Sequence, residues 1–180
     1  MDLIQNPQIS ICRYYFIRDG ASMWTVWRPD ASAVLQDKRA RQSLARYFDV
    51  MQDEKPAKFM IAKKIAANFS QDDSLELLWT LHDKLTEDYH NLEKQIDMKQ
   101  KNQDELSTPE KSYLDLKAEI ARRIMEKCHL CTRRCGFNRL AGELGLWCKT
   151  GTQITVSTMF EHMGEEPELV PSGTIFTLGC

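Results

Sequence analysis

The sequence predicts an α+β protein, with a mainly helical N-terminal part, a cysteine-rich metal-binding segment and a strand at the C-terminal end. Three observations predict it. Apolar residues recur every three or four positions through much of residues 31–127. Four of the six cysteines, Cys128, Cys131, Cys135 and Cys148, fall within 21 residues. The final run "SGTIFTLGC" is short, rich in β-branched and aromatic residues, and set off by Pro171. The expected division is 1–127 for a hairpin plus helical domain, 128–170 for a four-cysteine metal-binding segment, and 171–180 for one strand.

Each element has its own signal. Residues 9–30, "ISICRYYFIRDGASMWTVWRPD", are aromatic and β-branched, with Asp19-Gly20 at the middle and Pro29 at the end, which predicts a β-hairpin. Val34, Leu35, Leu44, Ala45, Phe48 and Met51 fit a helix over 32–52, and Pro56 suits the first turn of a second, over 56–69. Leu78, Leu81, Leu85, Tyr89, Leu92 and Ile96 share one face of a long helix, 73–100. Ser107 and Glu110 have capping-box spacing around Pro109, so a further helix is expected from Thr108, with Tyr113, Leu116, Ile120 and Ile124 as its apolar stripe. It leads directly to Cys128. These stripes read first as core packing. His82 and His90, eight apart on the long helix, fit surface or core positions better than a shared site, and Trp24, Trp27 and Trp79 are expected in the core. After Cys148, "TQITVSTMF" alternates as a strand, and residues 173–178 form the last one.

Bulk properties narrow the function. A chain of 180 residues with net charge −2 offers no overall attraction for nucleic acid or an anionic membrane. Its uncharged runs are too short to span a bilayer, and "MDLIQNPQ" carries no signal-peptide pattern. A cytoplasmic, reducing location follows, in which clustered cysteines point to metal rather than disulfides.

The cluster has the spacing C-x2-C-x3-C-x12-C. The C-x2-C pair can turn two thiolates to one centre, Cys135 follows on the next turn, and Cys148 closes the set after a glycine-containing loop. Arg122, Arg123, Lys127, Arg133, Arg134, Arg139 and Lys149 surround it, against Glu126 and Glu143; this excess of positive charge would favour thiolate and offset a four-thiolate zinc site of charge −2. A closed set of four favours Zn²⁺, and an iron–sulfur cluster suits the same ligands. His129 is a less favoured substitute ligand. Four ordinary buried cysteines, or a nucleic-acid-binding zinc module, are the competing readings; for the latter only Phe137 and Trp147 lie near. Further on, Glu161, Glu165, Glu166 and Glu168 read as a solvated acidic turn, although His162 with Gly164-Glu165-Glu166-Pro167 is unusually compact.

Taken together, "CHLCTRRCGFNRLAGELGLWC" and "EHMGEEPELVPSGTIFTLGC" resemble the region ahead of the active site in radical SAM proteins related to pyruvate formate-lyase activating enzyme. That group carries C-x-L-C-P-R-x-C-G-x-N-R, then G-E-x-G-x-C, H-x-G-E-E-P, and S-G-T-I-F leading to the first cysteine of C-x3-C-x2-C. Leu130, Arg133, Cys135, Gly136, Asn138, Arg139, Gly142, Glu143, Gly145 and Cys148 match, as do His162, Gly164 to Pro167 and Ser172 to Phe176. Thr132 stands for the usual proline, Met163 for an aromatic, and one extra residue separates Gly145 from Cys148. The resemblance covers residues 124–180; residues 1–123 carry none.

The resemblance implies a barrel strand at 171–180, the first of an α/β barrel otherwise missing from this chain. It implies Cys180 as the first ligand of a 4Fe-4S cluster, with two further ligands four and seven residues on. The cluster and S-adenosylmethionine would serve the full-length protein only, where reductive cleavage gives a 5′-deoxyadenosyl radical that abstracts hydrogen from a substrate. On this reading the chain is an N-terminal fragment, not catalytic by itself, and Cys180 belongs to a different site from the four clustered cysteines, which hold Zn or a second iron–sulfur cluster. The implied partners are S-adenosylmethionine, an electron donor and a substrate of unidentified class, proteins among the candidates; no membrane is implied, and nucleic acid is disfavoured. The alternative is a complete cytosolic four-cysteine zinc-binding interaction module.

Overall fold

The computed structural model describes residues 23–170 and 172–179. Cys12, Cys180, Pro171 and the first strand expected in the hairpin lie outside them. The elements are α1 (Met23–Trp27), α2 (Pro29–Val34), α3 (Lys38–Ser43), α4 (Ala45–Met51), α5 (Lys58–Ala62), α6 (Leu75–Asp97), α7 (Tyr113–Glu126), β1 (Val156–His162) and β2 (Ser172–Thr177). The result is an α+β chain, with helices first and a two-stranded sheet last. No described helix is long and apolar enough to cross a membrane.

The chain divides into two compact units. The first comprises the described residues up to Gln52 together with Met159–Ile175. Here the expected second hairpin strand is instead helical, as α1. Trp24, Ala31 and Val170 form a small core, with Leu35 and Met163 against it. Arg28 holds the turn after β1: its guanidinium donates to the carbonyls of Met163 and Glu165, the latter at 3.1 Å, while Asp30 accepts from Nε at 3.0 Å. The helix expected over 32–52 is three short ones. Asp37 provides a physical reason, since its carboxylate accepts from the Ala40 N–H at 2.8 Å and so caps a new helix. Of the three tryptophans expected inside, Trp24 is buried, whereas Trp27 and Trp79 are 69% and 41% exposed.

The second unit, Asp53–Thr158 with the described residues from Phe176 onward, holds the larger core. Ser74 caps α6, and the expected stripe packs inward: Leu78, Leu85, Tyr89 and Ile96 are buried, with Leu81 and Leu92 beside them. Helix α7 contributes Tyr113, Leu116 and Ile120, and α5 contributes Ile61 and Ala62. Helix α7 starts five residues later than expected. Residues 65–67 pair with 111–113, through Ala67 N–H to Lys111 O at 2.9 Å and Tyr113 N–H to Ile65 O at 2.8 Å. That pairing keeps Ser112 extended, and the capping box is Ser112 with Asp115 rather than Ser107 with Glu110. The same pairing limits the second helix to α5.

The strands are antiparallel: Leu178 N–H bonds to Thr155 O at 2.8 Å, while Ser172 Oγ donates to His162 O at 3.4 Å. The C-terminal strand thus has a partner within the chain; its Ile175 and Phe176, and Leu178 just after it, are exposed.

Candidate metal centre

Helix α7 ends at Glu126, and the chain turns at once into the cysteine loop. Two backbone bonds close the first part: Cys128 N–H to Phe137 O at 3.0 Å, and Gly136 N–H to Cys128 O at 2.9 Å. Arg134 N–H bonds to Cys131 O at 3.1 Å inside it. Asn138 then caps a short 3₁₀ turn, Arg139–Ala141, accepting from the Ala141 N–H at 3.1 Å. Glu143 folds back to accept from the Asn138 N–H at 2.6 Å. Gly145 N–H to Thr150 O, at 3.3 Å, and Lys149 N–H to Gly145 O, at 2.9 Å, close the turn that carries Cys148. Arg133 lies over the Trp147 ring at 4.2 Å and clasps the two parts together.

All four cysteines of the cluster are thiols, not disulfides. Cys128 is 1% exposed, Cys135 and Cys148 are half-buried, and Cys131 is exposed. The buried Arg139 joins the sulfurs: Nε donates to Cys128 Sγ at 3.0 Å, Nη2 to Cys148 Sγ at 2.9 Å, and Nη1 to Thr150 O at 2.7 Å. Two of the four thiols, Cys128 and Cys148, are thus linked through Arg139. Burial opposes ionisation of Cys128 most strongly, yet the Leu130 backbone, Arg139 and Cys135 together hold its thiol below the usual range. At Cys148 the Thr150 backbone is the leading cause, and with the Thr150 hydroxyl and Arg139 it brings the thiol down to about 7 against burial.

Thiolates are the donors that Zn²⁺ and iron–sulfur clusters take. As the side chains are placed, no three cysteine, histidine, aspartate or glutamate groups among the described residues stand close enough to hold an ion. The positive charge between Cys128 and Cys148 comes from a guanidinium. His129 is exposed and donates Nδ1–H to Lys127 O at 2.9 Å.

The basic surround divides once folded. Arg122 and Arg123 are bound to Glu119 at 2.8 and 2.7 Å, and hold its carboxyl down to about 2. Arg133 is on Trp147. Among the described residues, Arg139 is the cation hydrogen-bonded to the sulfurs. Sequence reasoning named Arg139 as one of seven basic residues and as a match to the cysteine motif, without assigning it a partner, and it missed Thr150. It also missed Arg28, the cation holding the turn of "HMGEEP". In that turn His162 Nδ1 lies 3.2 Å from Glu165 Oε1 without an aligned hydrogen bond. His82 and His90 have separate partners: Lys117 Nζ donates to His82 Nε2 at 3.0 Å, and His90 lies 3.7 Å from Glu93.

One more contact concerns the strand end. Gly179 has φ +84°, and a Cβ there would lie 2.4 Å from Cys148 O and 2.8 Å from Thr150 Oγ1. Only glycine fits, and the residue before Cys180 is seated on the cysteine loop.

An uncharacterized protein of Methanocaldococcus jannaschii is 40% identical to this chain over 137 residues, 76% of the chain. The chain spans 38% of that relative's length. The aligned stretch is longer than residues 124–180, so the likeness reaches into the helical part as well. No family model matches the chain, and no solved structure matches it significantly.

Proposed function

We propose that Cys128, Cys131, Cys135 and Cys148 are the ligands of a four-thiolate metal centre, with Zn²⁺ the favoured ion, in the N-terminal part of a cytoplasmic radical SAM enzyme. The observation that carries the metal centre is the gathering of Cys128 and Cys148 by one buried arginine, in a loop that also carries Cys131 and Cys135. A closed thiolate set gives the ion a structural role. The enzyme reading rests on the paired motifs of residues 124–180, and the seating of Gly179 on the cysteine loop supports it, because that contact links the loop to the residue ahead of Cys180.

On this reading Cys180 is the first ligand of the 4Fe-4S cluster, whose chemistry in the whole protein is reductive cleavage of S-adenosylmethionine. The substrate is unidentified, with proteins among the candidates, and an electron donor is required. The test uses the whole protein, reconstituted anaerobically with iron and sulfide and given dithionite and S-adenosylmethionine. Formation of 5′-deoxyadenosine is expected. None formed by protein that has taken up iron would sink the enzyme reading.

The second reading, a zinc-binding interaction module, is favoured by β2 finding its partner in β1 within this chain. It predicts zinc in the four-cysteine site and no 5′-deoxyadenosine under any condition.

A further inference from the structure

Arg139 is 8% exposed. A buried guanidinium must find acceptors for its N–H groups and opposite charge for its cation. Asp and Glu are the usual source of that charge, and Glu143 lies nearby in sequence, but its carboxylate takes the Asn138 N–H. The acceptors of Arg139 are instead two sulfurs and the Thr150 and Gly151 carbonyls. Two neutral thiols would leave the guanidinium without a counter-charge. Anionic sulfur supplies one, and metal-bound thiolate is anionic sulfur.

The surrounding chain makes room for this arrangement. Gly145 is buried, and a Cβ there would lie 2.3 Å from Cys148 Sγ and 3.0 Å from Arg139 Nη2. Any side chain at 145 would push the sulfur and the guanidinium apart. The 3₁₀ turn capped by Asn138 sets the starting point of Arg139, and the Thr150 carbonyl fixes the far end of its fork. The planar fork is what allows one side chain to reach two sulfurs and a carbonyl, which a lysine ammonium cannot do with the same geometry.

We infer that Arg139 is a positioning residue of the metal centre, donating N–H···S bonds to Cys128 and Cys148 in the metal-bound state and offsetting part of its negative charge. The inference rests on the four-thiolate reading above. A Zn²⁺ ion with four thiolates carries a net charge of about −2. Hydrogen bonds to coordinating groups fix ligand orientation and tune the metal, and their loss typically costs about 10- to 100-fold in metal affinity.

The test measures Zn²⁺ affinity by competition with a chromophoric chelator under reducing, anaerobic conditions, for the unchanged chain, Arg139→Gln and Arg139→Lys. Co²⁺ spectra of each are recorded in parallel. Arg139→Gln is expected to weaken Zn²⁺ by about 10- to 100-fold. It should keep the intensity of the four-thiolate sulfur-to-cobalt bands but move them to lower energy, because the sulfurs lose hydrogen bonds and become better donors. Arg139→Lys, which retains the charge, should recover part of the affinity. Unchanged affinity in Arg139→Gln would overturn the inference, as would lowered affinity with unmoved bands, since that is a purely structural loss. If Arg139→Gln fails to fold by circular dichroism, Arg139→Lys decides: unchanged affinity and unmoved bands overturn the inference. If the unchanged chain itself takes up no Zn²⁺ and shows no sulfur-to-cobalt bands, the four-thiolate reading fails first, and the inference with it.

Discussion

Helices α6 and α7 and the cysteine loop that follows them are held together in opposite ways. The helices bury a continuous apolar core, with Leu78, Leu116 and Tyr113 almost wholly out of water. The loop leaves Leu130, Leu140, Leu144, Leu146 and Trp147 exposed. What it buries is Cys128, Arg139 and Gly145. Hydrophobic burial thus accounts for the helices and not for the loop, whose order depends on backbone turns, one arginine and its sulfurs.

The largest effect expected from this contrast follows metal removal. Binding free energies of structural zinc are on the order of 10 kcal/mol. A strong chelator should abolish amide-exchange protection across residues 128–151 while leaving the helical circular dichroism in place. Loss of helix in step with the loop would contradict the division. Leu116→Ala should do the reverse, lowering the denaturant midpoint of the helical transition by an amount worth about 2–5 kcal/mol, because Leu116 is fully buried between helices. Zinc uptake by the variant, measured below its unfolding transition, should remain.

A third effect concerns pH. In metal-free chain the Cys148 thiol titrates near 7, below its ordinary value of 9.0. The thiolate is the reactive form, so alkylation of Cys148 should rise with pH and reach half its maximum near pH 7. An alkylation midpoint near 9 would show that the Thr150 and Arg139 contacts are not made. Smaller still is the cap: Ser112→Ala removes the side-chain acceptor for the Asp115 N–H and should cost the helical transition about 1 kcal/mol in chemical denaturation. The smallest is Arg133→Ala, which removes the stacking on Trp147 and should cost the loop about 0.5–1 kcal/mol, visible as a changed Trp147 fluorescence with zinc uptake preserved.

The same contrast marks what the sequence could reveal. The stripe from Leu78 to Ile96 was legible because helix periodicity is a local property, and its buried face is where the spacing places it. The start of α7 was not, because Ser107–Glu110 and Ser112–Asp115 both have capping spacing. The choice between them is made by pairing with residues 65–67, more than forty positions away. The breaks within 32–52 depended on Asp37 acting as a cap, a local signal that the apolar spacing of Val34, Leu44 and Phe48 outweighed. Met23–Trp27 has strand-like composition yet is helical, with Trp24 turned into a core that includes Val170. At the site, the cysteine spacing was readable in one dimension. The role of Arg139 was not, since its place in the cysteine motif names no partner, and only folding commits Arg122 and Arg123 to Glu119 and leaves Arg139 among the sulfurs.

The proposed four-thiolate centre is tested most directly by elemental analysis of the anaerobically purified chain beside its Cys131→Ser variant. Cys131 is the most exposed of the four and lies outside the link that Arg139 makes between Cys128 and Cys148, so its loss separates metal binding from the network already in place. The account predicts about one zinc per unchanged chain, without visible iron–sulfur absorbance, and a large loss of zinc from the variant with its helices intact. No metal in the unchanged chain, or equal zinc in both, would contradict it.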